Sequence, residues 1–192
     1  NDTLKLFSNL GNDFFNNSTG KLVGLRVPFW NYGDKGLVIG DAAHATVPFY
    51  GQGMNASFED SQILGQIIDN HTVINWNEIF QEFYKVRKKD ADSILDLSLD
   101  NYKVMRNDVL DSAYINKQEL AFDLYNKYPN RFIPLYTMIS FTNIPYNKAL
   151  KRGQIQDSIL NKILSNKNLM SDDVYIMQLI YDKLPEISAY ES

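Results

Sequence analysis

The 192-residue sequence has no cysteine and only two histidines, His44 and His71, far apart in the chain. Disulfides and thiolate metal sites are therefore excluded, zinc has too few ligands, and no metal site is expected. No apolar stretch approaches the roughly 20 residues that a membrane-spanning helix needs, and no signal peptide is visible. No G-x-G-x-x-G follows a strand, so the usual nucleotide-binding βαβ unit is missing from these residues. A net charge of −4 argues against a nucleic-acid-binding surface. Repeats and low-complexity linkers are absent too. N-x-S/T triplets at Asn16, Asn17, Asn55 and Asn70 are read as chance matches in an Asn-rich chain.

What is present suffices for a core, since 44% of residues are hydrophobic and 13% aromatic. Disorder is excluded and one domain, or a large part of one, is expected. Asn1 to Gly20 reads as the end of a helix followed by a loop. Lys21–Trp30 reads as a strand, with Pro28 demoting it to an edge, and Leu37–Ile39 as a short buried strand after a turn at 31–36. From Gly53 the pattern becomes helical through Met54, Phe58, Leu64, Ile67 and Ile68. A second helix starts at Asn75, an N-cap with Glu78 as its capping-box partner, and runs for some 35 residues as one long helix or two abutting ones. Arg87-Lys88-Lys89-Asp90 reads as a solvated stretch of it. Leu110–Tyr128, Phe132–Phe141, Asn147–Leu164 and Val174–Leu184 follow as further helices, the third carrying an Ile155, Ile159, Leu160, Ile163 packing stripe.

The stretch on which the chain turns is Gly40–Asp60, GDAAHATVPFYGQGMNASFED. An apolar run leads into Gly40 and Asp41. A proline and the glycines at 51 and 53 then take the backbone through a close-approach path into a helix start, leaving N–H groups uncovered at its positive end. Such a turn suits an electron-rich or anionic group. Asp41 is an acceptor suited to sugar or polyol hydroxyls, Pro48 and Phe49 can lie against a flat ring, and the N–H groups around Gly53, Met54 and Asn55 can meet a ring carbonyl. Glu59 and Asp60 read as helix-dipole and capping partners, and His44 as a packing and hydrogen-bonding residue.

This string resembles the second flavin-binding motif of the single-component FAD-dependent aromatic hydroxylases, and most closely that of the kynurenine 3-monooxygenases. The later run Phe132-Ile133-Pro134-Leu135-Tyr136-Thr137-Met138 and the stretch Asn101-Tyr102-Lys103-Val104-Met105-Arg106 are similar to the same family. The resemblance implies an α+β, mainly α-helical fragment, the C-terminal part of a FAD-binding aromatic hydroxylase fold. Residues 1–70 would be the end of the FAD-binding domain and 71–192 a helical region contributing to the substrate pocket.

It implies FAD as cofactor, NADPH as reductant, O2 as co-substrate and hydroxylation of L-kynurenine through a flavin C4a-hydroperoxide. Gly40, Asp41, Pro48, Gly51, Gly53, Met54 and Asn55 would hold the flavin. Phe49 and Gln52 would face the reacting ring, and Asn101 and Tyr136 would bind the substrate's amino-acid end as a pair. No side-chain acid or base is assigned, because an aniline-type ring is already electron-rich.

With no initiating methionine and no βαβ unit, the sequence is expected to need an N-terminal portion of the same enzyme, and alone to be aggregation-prone or poorly flavinated. A cytoplasmic location is expected, or the cytosolic face of the outer mitochondrial membrane if an anchor has been lost. Two alternatives stay open: a related hydroxylase of another aromatic acid, in which Asn101 and Tyr136 only pack, and a non-enzymatic helical interaction domain with a vestigial motif.

Overall fold

The structure, a computed structural model, describes residues 6–166 and 168–190. It is mostly helical. Helix α1 (Leu10–Asn16) lies on the surface with no buried residue, and the first five residues of the helix end expected at the N-terminus fall outside the described residues. The only sheet among the described residues is a two-stranded hairpin of β1 (Asn31–Tyr32) and β2 (Gly36–Leu37), antiparallel with Asn31 opposite Leu37 and Tyr32 opposite Gly36. Gly33, at φ 54°, makes the reversal between them.

The strand expected over Lys21–Trp30 is instead extended chain outside any ladder. Leu25 and Val27 donate to the Ala45 and Ala43 carbonyls (2.8 and 3.0 Å), while Leu22, Val23 and Phe29 face outward. Two isolated bonds to a helical turn cannot propagate a ladder. For the same reason Leu37–Ile39 is not a buried strand. Leu37 is the last residue in the ladder, Val38 adds one bond to the Trp30 carbonyl at 2.8 Å, and Val38 and Ile39 are each 37% exposed.

Next comes a single helical turn, α2 (Asp41–His44), where a simple strand-to-turn passage was expected, and then α3 (Gly53–Asn70). The long helix is α4 (Trp76–Lys103), closed by a π-helical turn over Val104–Asp108. Asn75 caps it as expected, its side chain accepting from the Glu78 amide at 3.4 Å. Helices α5 (Ser112–Lys127), α6 (Leu135–Phe141), α7 (Tyr146–Leu164) and α8 (Asp173–Lys183) follow the expected order. Pro134 and Pro145 sit one residue ahead of α6 and α7, where the missing N–H costs nothing.

Helix α4 is the spine, packed against α3 on one side and α7 on the other. Three clusters form the core, two of them on α4 and the third beyond it. Trp30, Ala43, Ile67, Ile79, Phe83 and Ala91 bury the hairpin end. Ala56, Ile94, Leu97, Met138, Ile139, Ile144 and Ala149 fill the middle. Phe132, Leu124, Ile159, Leu160, Ile163, Leu179, Ile180 and Leu184 close the C-terminal end. The stripe expected on Asn147–Leu164 thus packs through Ile159, Leu160 and Ile163. On α3, Met54 (67% exposed) and Phe58 (66%) belong to no cluster although their spacing suggested a core face, because they lie opposite the α4 contact.

Candidate functional site

The site is built on residues 40–60. Gly40 adopts φ 58°, ψ −141°, a conformation essentially confined to glycine, and a Cβ there would meet Ser57 Oγ at 3.0 Å. Asp41 follows at the exposed start of α2. Pro48 and Gly51 close a turn, the Gly51 N–H donating to the Pro48 carbonyl at 3.1 Å, with Gly51 in the left-handed region at φ 67°. Helix α3 then begins. Its first internal bond runs from the Ala56 amide to the Gln52 carbonyl, and no side chain caps it. The Gly53, Met54 and Asn55 N–H groups precede that bond and form the positive end of an 18-residue helix.

The four residues expected to face a substrate are all tied to this loop. Asn101 on α4 donates Nδ2 to the Phe49 carbonyl at 2.8 Å and lies half-buried rather than deep among apolar neighbours. Phe49 packs against Tyr102, ring centroids 4.7 Å apart. Tyr136 on α6 stacks on Tyr50 at 5.7 Å and is itself 54% exposed. Gln52 is buried and its amide is committed. Oε1 accepts from Asn55 Nδ2 (2.9 Å) and from the Tyr146 hydroxyl (3.1 Å), while Nε2 reaches the Tyr50 carbonyl at 3.4 Å. Asn101 and Tyr136 are therefore joined through successive residues of one loop. Beside it, Gln52, Asn55, Phe58, Ser140, Phe141 and Tyr146 line part of a groove of about 770 Å³ between α3 and the α6–α7 connection.

A buried charge network lies under the glycine turn. Asp60 is fully buried, and its Oδ2 accepts from the Gly40 N–H (2.9 Å) and His44 Nε2 (2.5 Å). Its Oδ1 accepts from Arg87 Nε at 2.8 Å. Arg87, also buried, reaches Asp90 Oδ2 at 3.2 Å and Glu59 Oε2 at 3.0 Å. Asp90 Oδ1 accepts the Asn147 N–H at 2.7 Å, so a carboxylate on α4 caps α7.

Burial alone would raise the Asp60 carboxyl, but the bonds from His44, Arg87 and Gly40 overcome it and hold the group below its ordinary value. At Asp90 burial wins over the Asn147, Arg87 and Tyr146 contacts and the carboxyl is pushed up. At Glu59 burial likewise outweighs Arg87. His44 also packs on the buried Trp30, ring centroids 5.2 Å apart, a packing and hydrogen-bonding placement.

Two sequence expectations are corrected here. Glu59 and Asp60 are no dipole or capping partners, because they lie about two turns into α3, where Glu59 reaches Arg87 and Asp60 faces α4. Arg87 and Asp90 are not solvated, being 2% and 3% exposed. The signal was available: Ile79, Phe83, Arg87, Asp90, Ala91 and Ile94 continue one i, i+3/i+4 seam, so the charged stretch passes directly through the apolar face. Tyr146 carried no comparable signal in the sequence.

Burial pushes the phenols of Tyr50 and Tyr146 up to about 12, Tyr50 helped by Tyr114, Tyr136 and Asp100, Tyr146 by Glu59 and Asp90. Each binds its proton more tightly folded than unfolded, where a tyrosine titrates near 10. The stabilisation is complete below about pH 10 and is lost as pH rises from there toward 12. Urea midpoints are expected to fall steeply across that window, and less steeply in Tyr146→Phe. Equal slopes for the two proteins would remove Tyr146 from the account.

Comparison with known proteins bears on the same residues. The family described as FAD binding domain matches residues 27–73. The chain is 45% identical over 164 residues to the kynurenine 3-monooxygenase of Cytophaga hutchinsonii, covering 85% of this chain and 36% of that protein. It is 42% identical to that of Flavobacterium psychrophilum (88% and 37%), and 36% identical to that of Legionella pneumophila strain Corby (95% and 41%). The chain thus spans somewhat more than a third of the length of the curated relatives it matches. The sequence resemblance to this family is borne out.

Proposed function

We propose that this chain, a relative of the kynurenine 3-monooxygenases, is the C-terminal portion of a FAD- and NADPH-dependent monooxygenase that hydroxylates L-kynurenine to 3-hydroxy-L-kynurenine. Residues 1–70 would complete the flavin-binding domain and 71–192 the substrate pocket. The observation that carries the reading is the α3 N-terminus. Three N–H groups stand free of any side-chain cap directly after the left-handed Gly51, where nothing lies within 4 Å of an added Cβ, and the loop before them presents Phe49. The residues fit a flavin: a planar ring system whose reduced form carries negative charge would be stabilised by the helix end.

When bound, the flavin would take hydride from NADPH and activate O2. Everything else falls to the protein. Gly40 and Gly51 permit close backbone approach and Asp41 accepts from ribityl hydroxyls, with Pro48, Gly53, Met54 and Asn55 completing the cofactor side. Phe49 walls the substrate ring, Gln52 holds the loop at the reacting end, and Asn101 and Tyr136 receive the amino-acid end. Exclusion of water by Phe49, Tyr50, Tyr102 and Tyr136 protects the activated oxygen. A cytoplasmic location is part of the proposal; among the described residues no helix is long and apolar enough to cross a membrane. Uncovered Leu22, Val23, Phe29 and Met54 accord with apolar surface that an N-terminal portion would cover.

The test is NADPH oxidation by the full-length flavoprotein with and without L-kynurenine, product identified. Stimulated turnover to 3-hydroxykynurenine is expected; oxidation indifferent to kynurenine would refute the substrate. One observation favours a second reading, hydroxylation of a different aromatic acid: the Asn101 amide already bonds the Phe49 carbonyl. Asn101→Ala separates the two. Loss of a hydrogen bond to a charged substrate group raises the kynurenine KM about tenfold at unchanged flavin content, whereas an unaltered KM makes Asn101 a loop brace.

A further inference from the structure

The loop that presents Phe49 is held from behind by a side chain to which the proposed reaction gives no role. Tyr146, the first residue of α7, is 8% exposed, and its hydroxyl donates to Gln52 Oε1 at 3.1 Å. Gln52 Oε1 also accepts from Asn55 Nδ2, so both lone pairs of that oxygen are filled. The amide is then fixed with Nε2 toward the Tyr50 carbonyl. Tyr146 is itself immobilised, since α7 begins against Asp90, which Arg87 ties to Asp60, and Asp60 holds the Gly40 N–H. One continuous buried path therefore runs from the backbone of the glycine turn to the loop bearing Phe49.

From this connectivity we infer that Tyr146 is a positioning residue. Acting through the Gln52 amide, it sets the Phe49–Gln52 loop in register with the Gly40 turn, so that the substrate wall and the cofactor cradle keep a fixed separation. The functional part of this inference rests on the flavin-hydroxylase reading; the mechanical part rests on the hydrogen bonds alone. A loop free to shift leaves the substrate out of line with activated oxygen. Electrons from NADPH then leave as hydrogen peroxide (NADPH + H⁺ + O2 giving NADP⁺ + H2O2) in place of hydroxylated product and water.

Tyr146→Phe keeps the ring and removes only the hydroxyl. The readout independent of activity is amide hydrogen exchange of the full-length flavoprotein. Losing one hydrogen bond speeds exchange in residues 49–53 about tenfold, with α4 and α8 unchanged. In the Gln52→Leu background the same substitution adds no further acceleration, because the path is already cut. Product formed per NADPH falls at least about twofold, with peroxide making up the difference and FAD content unchanged. Unchanged exchange at 49–53, or acceleration spread evenly over the chain, overturns the inference. A wild-type protein indifferent to kynurenine would refute the proposed reaction while leaving the exchange result to decide the role of Tyr146.

Discussion

Arg87→Met is expected to destabilise the protein by about 3–5 kcal/mol, the cost of breaking a buried ion pair from one side. The guanidinium is 2% exposed and meets Asp60, Asp90 and Glu59 together. Methionine fills similar volume, so the loss comes from charge. Asp60, now held below its ordinary value with the help of Arg87, would keep only His44 and the Gly40 N–H. Denaturant unfolding of the full-length protein checks the figure, and flavin content should fall with it, because the Gly40 turn loses its anchor. The partner result is diagnostic. Asp60→Asn in the Arg87→Met background should recover part of the stability by removing the stranded charge, and no recovery would mean that packing, not electrostatics, makes Arg87 necessary.

The second large effect is expected at Gly40. Gly40→Val imposes a β-branched side chain on φ 58°, ψ −141° and drives its Cβ against Ser57 Oγ at 3.0 Å. Strain and overpacking together cost about 3 kcal/mol. The turn can relieve them only by rotating the Gly40 peptide, which withdraws its N–H from Asp60 and displaces Asp41. Thermal unfolding should report the stability loss and flavin absorbance the cofactor loss. A Gly40→Val,Ser57→Gly double variant removes the clash but not the backbone strain. Stability restored to the wild-type level by it would show that the dihedral angles are not limiting.

Helices were legible because each carries its own periodicity and punctuation: Asn75 at the start of α4, Pro134 and Pro145 ahead of α6 and α7. Strands were not, because Lys21–Trp30 has strand composition but meets the second strand segment only through the Trp30 carbonyl, and composition carries no information about pairing. The tight turn was legible through its glycines, and Phe49, Gln52, Asn101 and Tyr136 lie about one loop. The buried network was missed for a different reason. A charged run was read by its hydrophilicity, although Arg87 and Asp90 stand at the seam positions between Phe83 and Ile94, and phase outranks polarity when the partners, Asp60 and the α7 amide, lie elsewhere in the chain.

Helix α7 belongs to two cores. Tyr146 and Ala149 pack in the middle cluster, whereas Ile159, Leu160 and Ile163 pack in the C-terminal one with α5 and α8. Its 19 residues make a rod about 28 Å long. A sideways shift of about 1 Å at Ile163 therefore tilts the rod by about 2°, and a stiff rod delivers that tilt to its other end. The C-terminal cluster is in this sense a lever seat. Substitutions around Leu179 or Ile180, remote from every residue of the glycine turn, should be heard at the Tyr146–Gln52 contact, and an engineer grafting a foreign C-terminus onto this fold would have to match the angle of α7 before matching any side chain of the pocket.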